Sequence, residues 1–162
     1  MRLAQVAKIV SCVAAIDVGG VARLGAHVNF SKFEHVTWII SVGAIGNNCT
    51  LTMLAGTDAL GTGGVAMGFS YYLSTGGVPL VAEVASALVT VGAGGYTILA
   101  ATDDNECLVV EMDASEVVAP LTNIYVGPNF SNAGAALISC VAVCYWPRYA
   151  ADPALMPSAI VA

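Results

Sequence analysis

The chain has 162 residues, 57% of them apolar and only 10% charged, with a net charge of −6 at neutral pH. That length fits one domain, and five scattered basic residues exclude a basic nucleic-acid groove. A typical globular domain is about 25% charged, so the composition leaves two classes: a membrane protein, or a protein whose surface is largely covered by partners.

A spanning helix needs about 18 or more consecutive apolar residues. The longest charge-free stretch, between Glu116 and Arg148, is broken by Pro120, Asn123, Gly127, Pro128, Asn132 and Gly134. The most apolar stretch, 84–102, carries Gly92, Gly94 and Gly95 in its middle. No membrane helix is therefore expected, and a porin-like barrel needs more ten-residue strands than the chain offers. Lys8 interrupts the only run that could serve as a signal sequence, so synthesis in a reducing cytoplasm is the expectation.

In chain order, residues 1–27 read as an N-terminal arm or short helix. Residues 28–146 carry period-two alternation, the mark of half-buried antiparallel strands. Over 35–42, Val36, Trp38, Ile40 and Val42 face one side, while His35, Thr37 and Ser41 face the other. Over 48–55, Cys49, Leu51, Met53 and Ala55 alternate with Asn48, Thr50 and Thr52. The intervening 43–47 reads as a hairpin loop. Met67, Phe69, Tyr71 and Leu73 form the next apolar set, over 66–73. Further strands are expected at 80–87, 96–101, 106–113, 121–126 and 135–146, with Pro128-Asn129 as a turn. The last is nearly all apolar, which suits burial on both faces or at a subunit interface. Cys140 and Cys144, four apart on it, should enter one apolar layer as reduced thiols. The predicted fold is an all-β antiparallel β-sandwich, jelly-roll-like, with extended N- and C-terminal arms. The C-terminal arm, 147–162, is barred from helix and central strand by Pro147, Pro153 and Pro157. It is nonetheless apolar, and so needs a groove to lie in.

The search for chemistry returns little. The glycine runs at 61–64 and 92–95 lack the spacing and following residues of phosphate or dinucleotide loops. His35 reads as an outward polar residue, and His27 could meet Asp17 or Glu34 only through the fold. The acids Asp103, Asp104, Glu106, Glu111, Asp113 and Glu116 read as a solvated edge, without the spacing of a calcium loop. No catalytic, cofactor-binding or metal-ligating set is expected, and the chain reads as a non-enzyme. Tyr71, Tyr72 and Tyr96 near Glu83 are the only aromatics that could serve a carbohydrate-binding module.

The C-terminal stretch Pro147-Arg148-Tyr149-Ala150-Ala151-Asp152-Pro153, followed by Pro157-Ser158-Ala159-Ile160, resembles the tail of small structural proteins of tailed bacteriophages. The segment 32–54 and the turn 61–67 leading into an aromatic strand look similar to the same group. Members are often longer near the middle, where this chain is compact. The resemblance implies a virion component, foremost a head decoration (cement) protein on the capsid surface. Its implied partners are the major capsid protein and copies of itself, a trimer by preference, with neither nucleic acid nor membrane. A neck, tail or head-fibre subunit is the alternative within the same group. The contact residues expected on this basis are Trp146, Arg148, Tyr149, Pro153, Leu155, Met156 and Ile160.

Overall fold

A computed structural model of the chain describes residues 7–17, 20–75, 84–103, 105–117, 124–131 and 136–147. They form thirteen strands: β1 (Ala7–Asp17), β2 (Arg23–Leu24), β3 (Val28–Asn29), β4 (Phe33–Ile45), β5 (Cys49–Gly56), β6 (Val65–Met67), β7 (Phe69–Thr75), β8 (Val84–Ala85), β9 (Val89–Val91), β10 (Tyr96–Ile98), β11 (Cys107–Asp113), β12 (Tyr125–Phe130) and β13 (Ala136–Pro147). One sheet has seven strands in the order β1-β13-β4-β11-β7-β8, with β9 also on β7. The other has six, in the order β10-β5-β12-β2, with β3 also on β12 and β6 on β5. The pairings are antiparallel, and the protein is an all-β sandwich. Among the described residues, no helix is long and apolar enough to cross a membrane.

The alternation predicted for β4 and β5 places the core. Trp38, Ile40 and Val42 from one sheet, and Cys49, Leu51 and Met53 from the other, are all buried. They meet Leu108, Val110, Met112, Phe130, Ile138, Cys140 and Cys144 in one cluster. The segment 43–47 is not a hairpin loop, however. β4 and β5 belong to different sheets, so the chain arches from one to the other. A hairpin would set both apolar faces side by side in one sheet; the arch turns them toward each other, so each buries the other.

The strand expected over 66–73 is likewise divided at Gly68. β6 pairs with β5 and β7 with β11, in opposite sheets. The crossing is tight: a Cβ on Gly68 would lie 2.8 Å from the Val91 carbonyl oxygen. Only glycine lets the backbone approach so closely.

Two further expectations are corrected. The segment expected to be an arm or short helix contains a full strand, β1, paired with β13 from Ala7–Tyr145 to Asp17–Leu137. Its inward residues Val13 and Cys12 join the core across a bulge, which hides the alternation in the sequence. Pro128-Asn129 is not a turn but the middle of β12. A proline has no N–H to give a ladder. The Pro128 carbonyl accepts from Gly25 N–H at 2.8 Å, and the N and carbonyl of one strand residue point the same way. The missing donor therefore faces the gap between β2 and β3, where no ladder bond is required. The last strand, β13, buries Ala136, Ile138, Cys140, Ala142 and Cys144 on its inner side, while Leu137 on the other side is exposed. Pro147, expected to open the C-terminal arm, instead ends β13 in register with Phe33; the arm lies outside the described residues from 148 onward.

Candidate interaction face

The register of the seven-stranded sheet fixes which outward side chains are neighbours. Along one row, Ser11 pairs with Val141, Val141 with Ile39, Ile39 with Val109, and Val109 with Tyr72. Five strands thus contribute one line of side chains, four of them apolar. The next row runs Ile9, Val143, Thr37, Glu111 and Ser70. On the opposite flank lie Ser139, Ser41, Cys107 and Ser74. Beyond them Leu137 sits over Gly43, whose missing side chain makes room for it: a Cβ there would be 3.1 Å from Leu137 Cβ. Ile9 is 51%, Ile39 42% and Leu137 58% exposed. Glu111 is the one charged side chain in these rows.

The far end of the face is an aromatic cluster. Tyr145, His35 and Asp113 are in register across β13, β4 and β11. His35 Nδ1 lies 2.8 Å from Asp113 Oδ1; a carboxylate can only accept, so Nδ1 donates. Thr37 Oγ1 is 3.3 Å from His35 Nε2. The Tyr145 and Trp146 rings stand 5.9 and 5.8 Å from the imidazole. Strict alternation would send residue 146 to the opposite side from Tyr145. Trp146 instead has φ of 49°, a left-handed conformation unfavourable for a bulky residue. That backbone turn returns its ring to His35 and leaves it 66% exposed.

Of the contact residues expected from the resemblance, Trp146 is thus on this face. Arg148, Tyr149, Pro153, Leu155, Met156 and Ile160 lie outside the described residues. Sequence reading missed Ile39, Leu137 and Val109, and offered Tyr72 only for carbohydrate. A signal was present: Ile39 is the apolar intruder in the outward set His35, Thr37, Ser41. Cross-strand register was needed to show that the intruders align.

The remaining candidate groups are structural. His27 is wholly buried, with Nδ1 2.9 Å from the Gly25 carbonyl and Nε2 without a partner. Burial holds its pKa below the ordinary imidazole value, against the opposing pull of the Gly25 carbonyl and the Asp58 charge. It meets neither Asp17, which accepts from Ala136 N–H, nor any other acid in a bond. Asp103 is not part of a solvated edge: it is 4% exposed, and accepts from Tyr96 O–H, Leu99 N–H and Thr102 O–H at 2.7–2.8 Å. Burial and that bond push the Tyr96 phenol well above its usual range. Burial, followed by the Asp103 charge, raises the Glu106 carboxyl. Glu116 caps the chain end of β11 by accepting from Asp113 N–H at 2.7 Å. Asp104 and Glu83 lie outside the described residues.

The three tyrosines do not form a carbohydrate platform. Tyr71 points into the core and stacks on Tyr96 with centroids 4.5 Å apart, whereas Tyr72 is on the outer face. A separate apolar groove of about 540 Å³ is lined by Ala55, Val65, Met67, Phe69 and Val91, with Glu116 beside them. Among the described residues no group of three or more His, Cys, Asp or Glu is placed to hold a metal ion. Compared with known proteins, the chain matches no family model, no curated protein and no solved structure.

Proposed function

We propose that the chain is a structural subunit of a tailed-phage particle, specifically a head decoration (cement) protein bound as an oligomer over the major capsid protein. The observation that carries this reading is the charge-poor outer face of the seven-stranded sheet, with Ile9, Ile39, Leu137 and Trp146 exposed together. An antiparallel sheet facing water normally turns polar residues outward, and exposed apolar side chains gathered on one face in this way mark a contact site. The proline-broken apolar tail and its resemblance to phage structural proteins supply the particle.

The mechanism is physical. Apolar area removed from water contributes roughly 25 cal/mol per Å², from which association subtracts translational, rotational and side-chain entropy. A subunit that touches two capsomers at once binds the second at high effective concentration. Heads emptied of the protein and then incubated with the purified chain test the reading. Capsid-wide occupancy, with greater resistance of the head to heat, is expected. Occupancy confined to one ring would assign it to the neck or tail, and absence of binding would end the virion reading.

A further inference from the structure

We infer that a second copy of this chain covers the outer face of the seven-stranded sheet, packed sheet on sheet about a two-fold axis along the Val141–Ile39–Val109 row. The inference rests on the reading of the chain as an assembly subunit and names the partner of its apolar face.

Size is the first argument. Five strands spaced about 4.8 Å apart, and about seven residues rising roughly 3.3 Å each, give a face of roughly 500 Å². Thr37 and Val143 within it are already buried, so two copies together remove at most roughly 1,000 Å² from water, the lower limit for a specific interface.

Charge is the second. A face built for a charged partner would carry the complementary sign, and a strongly charged face would repel its own copy. Here the charged groups are few: Glu111 among serines, threonine and aliphatics, and at the far end Asp113, paired with His35. A two-fold axis along the Ile39 row inverts the strand direction across the interface. Each Glu111 then meets the partner's row of Ser41, Cys107 and Ser74, away from the other Glu111.

Shape is the third. Trp146 and Leu137 are the two most exposed large apolar side chains of the face, and they occupy opposite ends of the same strand, β13. Val141, on the proposed axis, lies midway between Leu137 and Tyr145 in sequence. The axis therefore sets each Trp146 over the other copy's Leu137, and Ile39 against Ile39. Exposed tryptophans that enter such a seat are the usual anchors of an interface. The left-handed backbone at Trp146 has a reason in this arrangement, since it holds the ring on the contact side. Such a contact is isologous and closes at two copies, where the resemblance implies three.

Light scattering on the eluting full chain tests the pair. The unsubstituted protein is expected to be dimeric at roughly 10 μM, as an interface at the lower size limit allows. Ile39→Lys and Ile39→Glu, with unchanged circular dichroism, should each weaken association at least ~100-fold by placing like charges across the axis. Mixing the two should restore the pair. Ile39→Thr, which keeps a strand-forming residue, serves if a charge unfolds the chain and should weaken association about 10-fold. Trp146→Ala and Leu137→Ser should each weaken it by a similar factor, and no more when combined than their shared contact allows. A monomer at all concentrations, or an oligomer indifferent to Ile39→Lys and Ile39→Thr alike, overturns the inference. A monomer that still binds heads sinks the pair and leaves the subunit reading; a dimer that binds no head does the reverse.

Discussion

The two outer faces of the sandwich follow the same alternation rule and come out differently. On the six-stranded sheet, Thr50, Thr52, Asn129 and Ser131 bond to one another: Asn129 Nδ2 donates to Thr52 Oγ1 at 3.2 Å, and Thr50 N–H to Ser131 Oγ at 2.8 Å. Where β12 lacks an outward side chain, at Gly127, the His27 ring fills the space, and the loop through Gly61 closes over it. This face satisfies its polar groups within one chain, although Leu24, in register with Asn129, is 47% exposed. On the seven-stranded sheet the corresponding positions are Val141, Ile39, Val109 and Tyr72, where the Tyr72 hydroxyl is the one polar group. In this contrast inward patterning decides the fold, while outward patterning leaves one face bonding its polar side chains within the chain and the other with Ile9, Ile39 and Leu137 exposed.

If the smaller sheet's face is complete, damage there should appear as lost stability of the single chain. The largest effect expected is at Gly61. It has φ of 72°, and a Cβ would lie 2.6 Å from the His27 ring. Gly61→Ala should destabilise by about 3 kcal/mol, from backbone strain and overpacking together, read as a lower urea midpoint. The corresponding change on the other sheet, Ile39→Ala, should leave the midpoint of the dilute chain nearly unmoved.

His27 gives the same face a pH dependence. The folded chain keeps the imidazole neutral, since burial lowers its pKa below that of the unfolded chain. Below the ordinary value of about 6.5 the unfolded state takes up the proton first. Stability should therefore be level above that pH and fall as pH drops from there toward the folded pKa. Urea titrations at pH 7.5 and 5.5 check this; a non-titrating His27→Gln chain, less stable at both, should lose its part of the slope.

Thiol chemistry distinguishes the faces from the core. Burial pushes Cys144 up to about 12 and raises Cys49, while the hydrogen bond with Cys12, and then burial, raises Cys140. These three should resist an aromatic disulfide reagent in the native chain. Cys107, in the outer row of the seven-stranded sheet, should react first in the dilute monomer and more slowly as concentration rises. Equal rates at all concentrations would argue that nothing covers the row. The smallest effect belongs to Thr52→Val, which removes the bonds with Asn129 and is expected to cost about 1 kcal/mol; a new tendency to associate would show how little separates the two faces.

Much of this was legible in the residues. The sets Val36-Trp38-Ile40-Val42, Cys49-Leu51-Met53 and Leu108-Val110-Met112 announce half-buried strands, and all are core. What stayed hidden required knowledge of which strand lies beside which. A loop at 43–47 serves a hairpin or an arch equally well, and Gly68 marks a crossing only once Val91 is seen against it. Pro128 argued against a central strand because the gap between β2 and β3 was invisible. For the candidate face, Trp146 stood out at the end of an apolar strand. Val109 and Leu137 lie 70 and 98 residues beyond Ile39 along the chain, and only antiparallel register brings the three onto one face.

The direct test of the account is one substitution on each face, Ile39→Lys and Thr52→Lys, followed by sedimentation equilibrium beside the unsubstituted chain. The account predicts a dimer for the unsubstituted and Thr52→Lys proteins and a monomer for Ile39→Lys. A dimer that survives Ile39→Lys, or is lost only with Thr52→Lys, would contradict it.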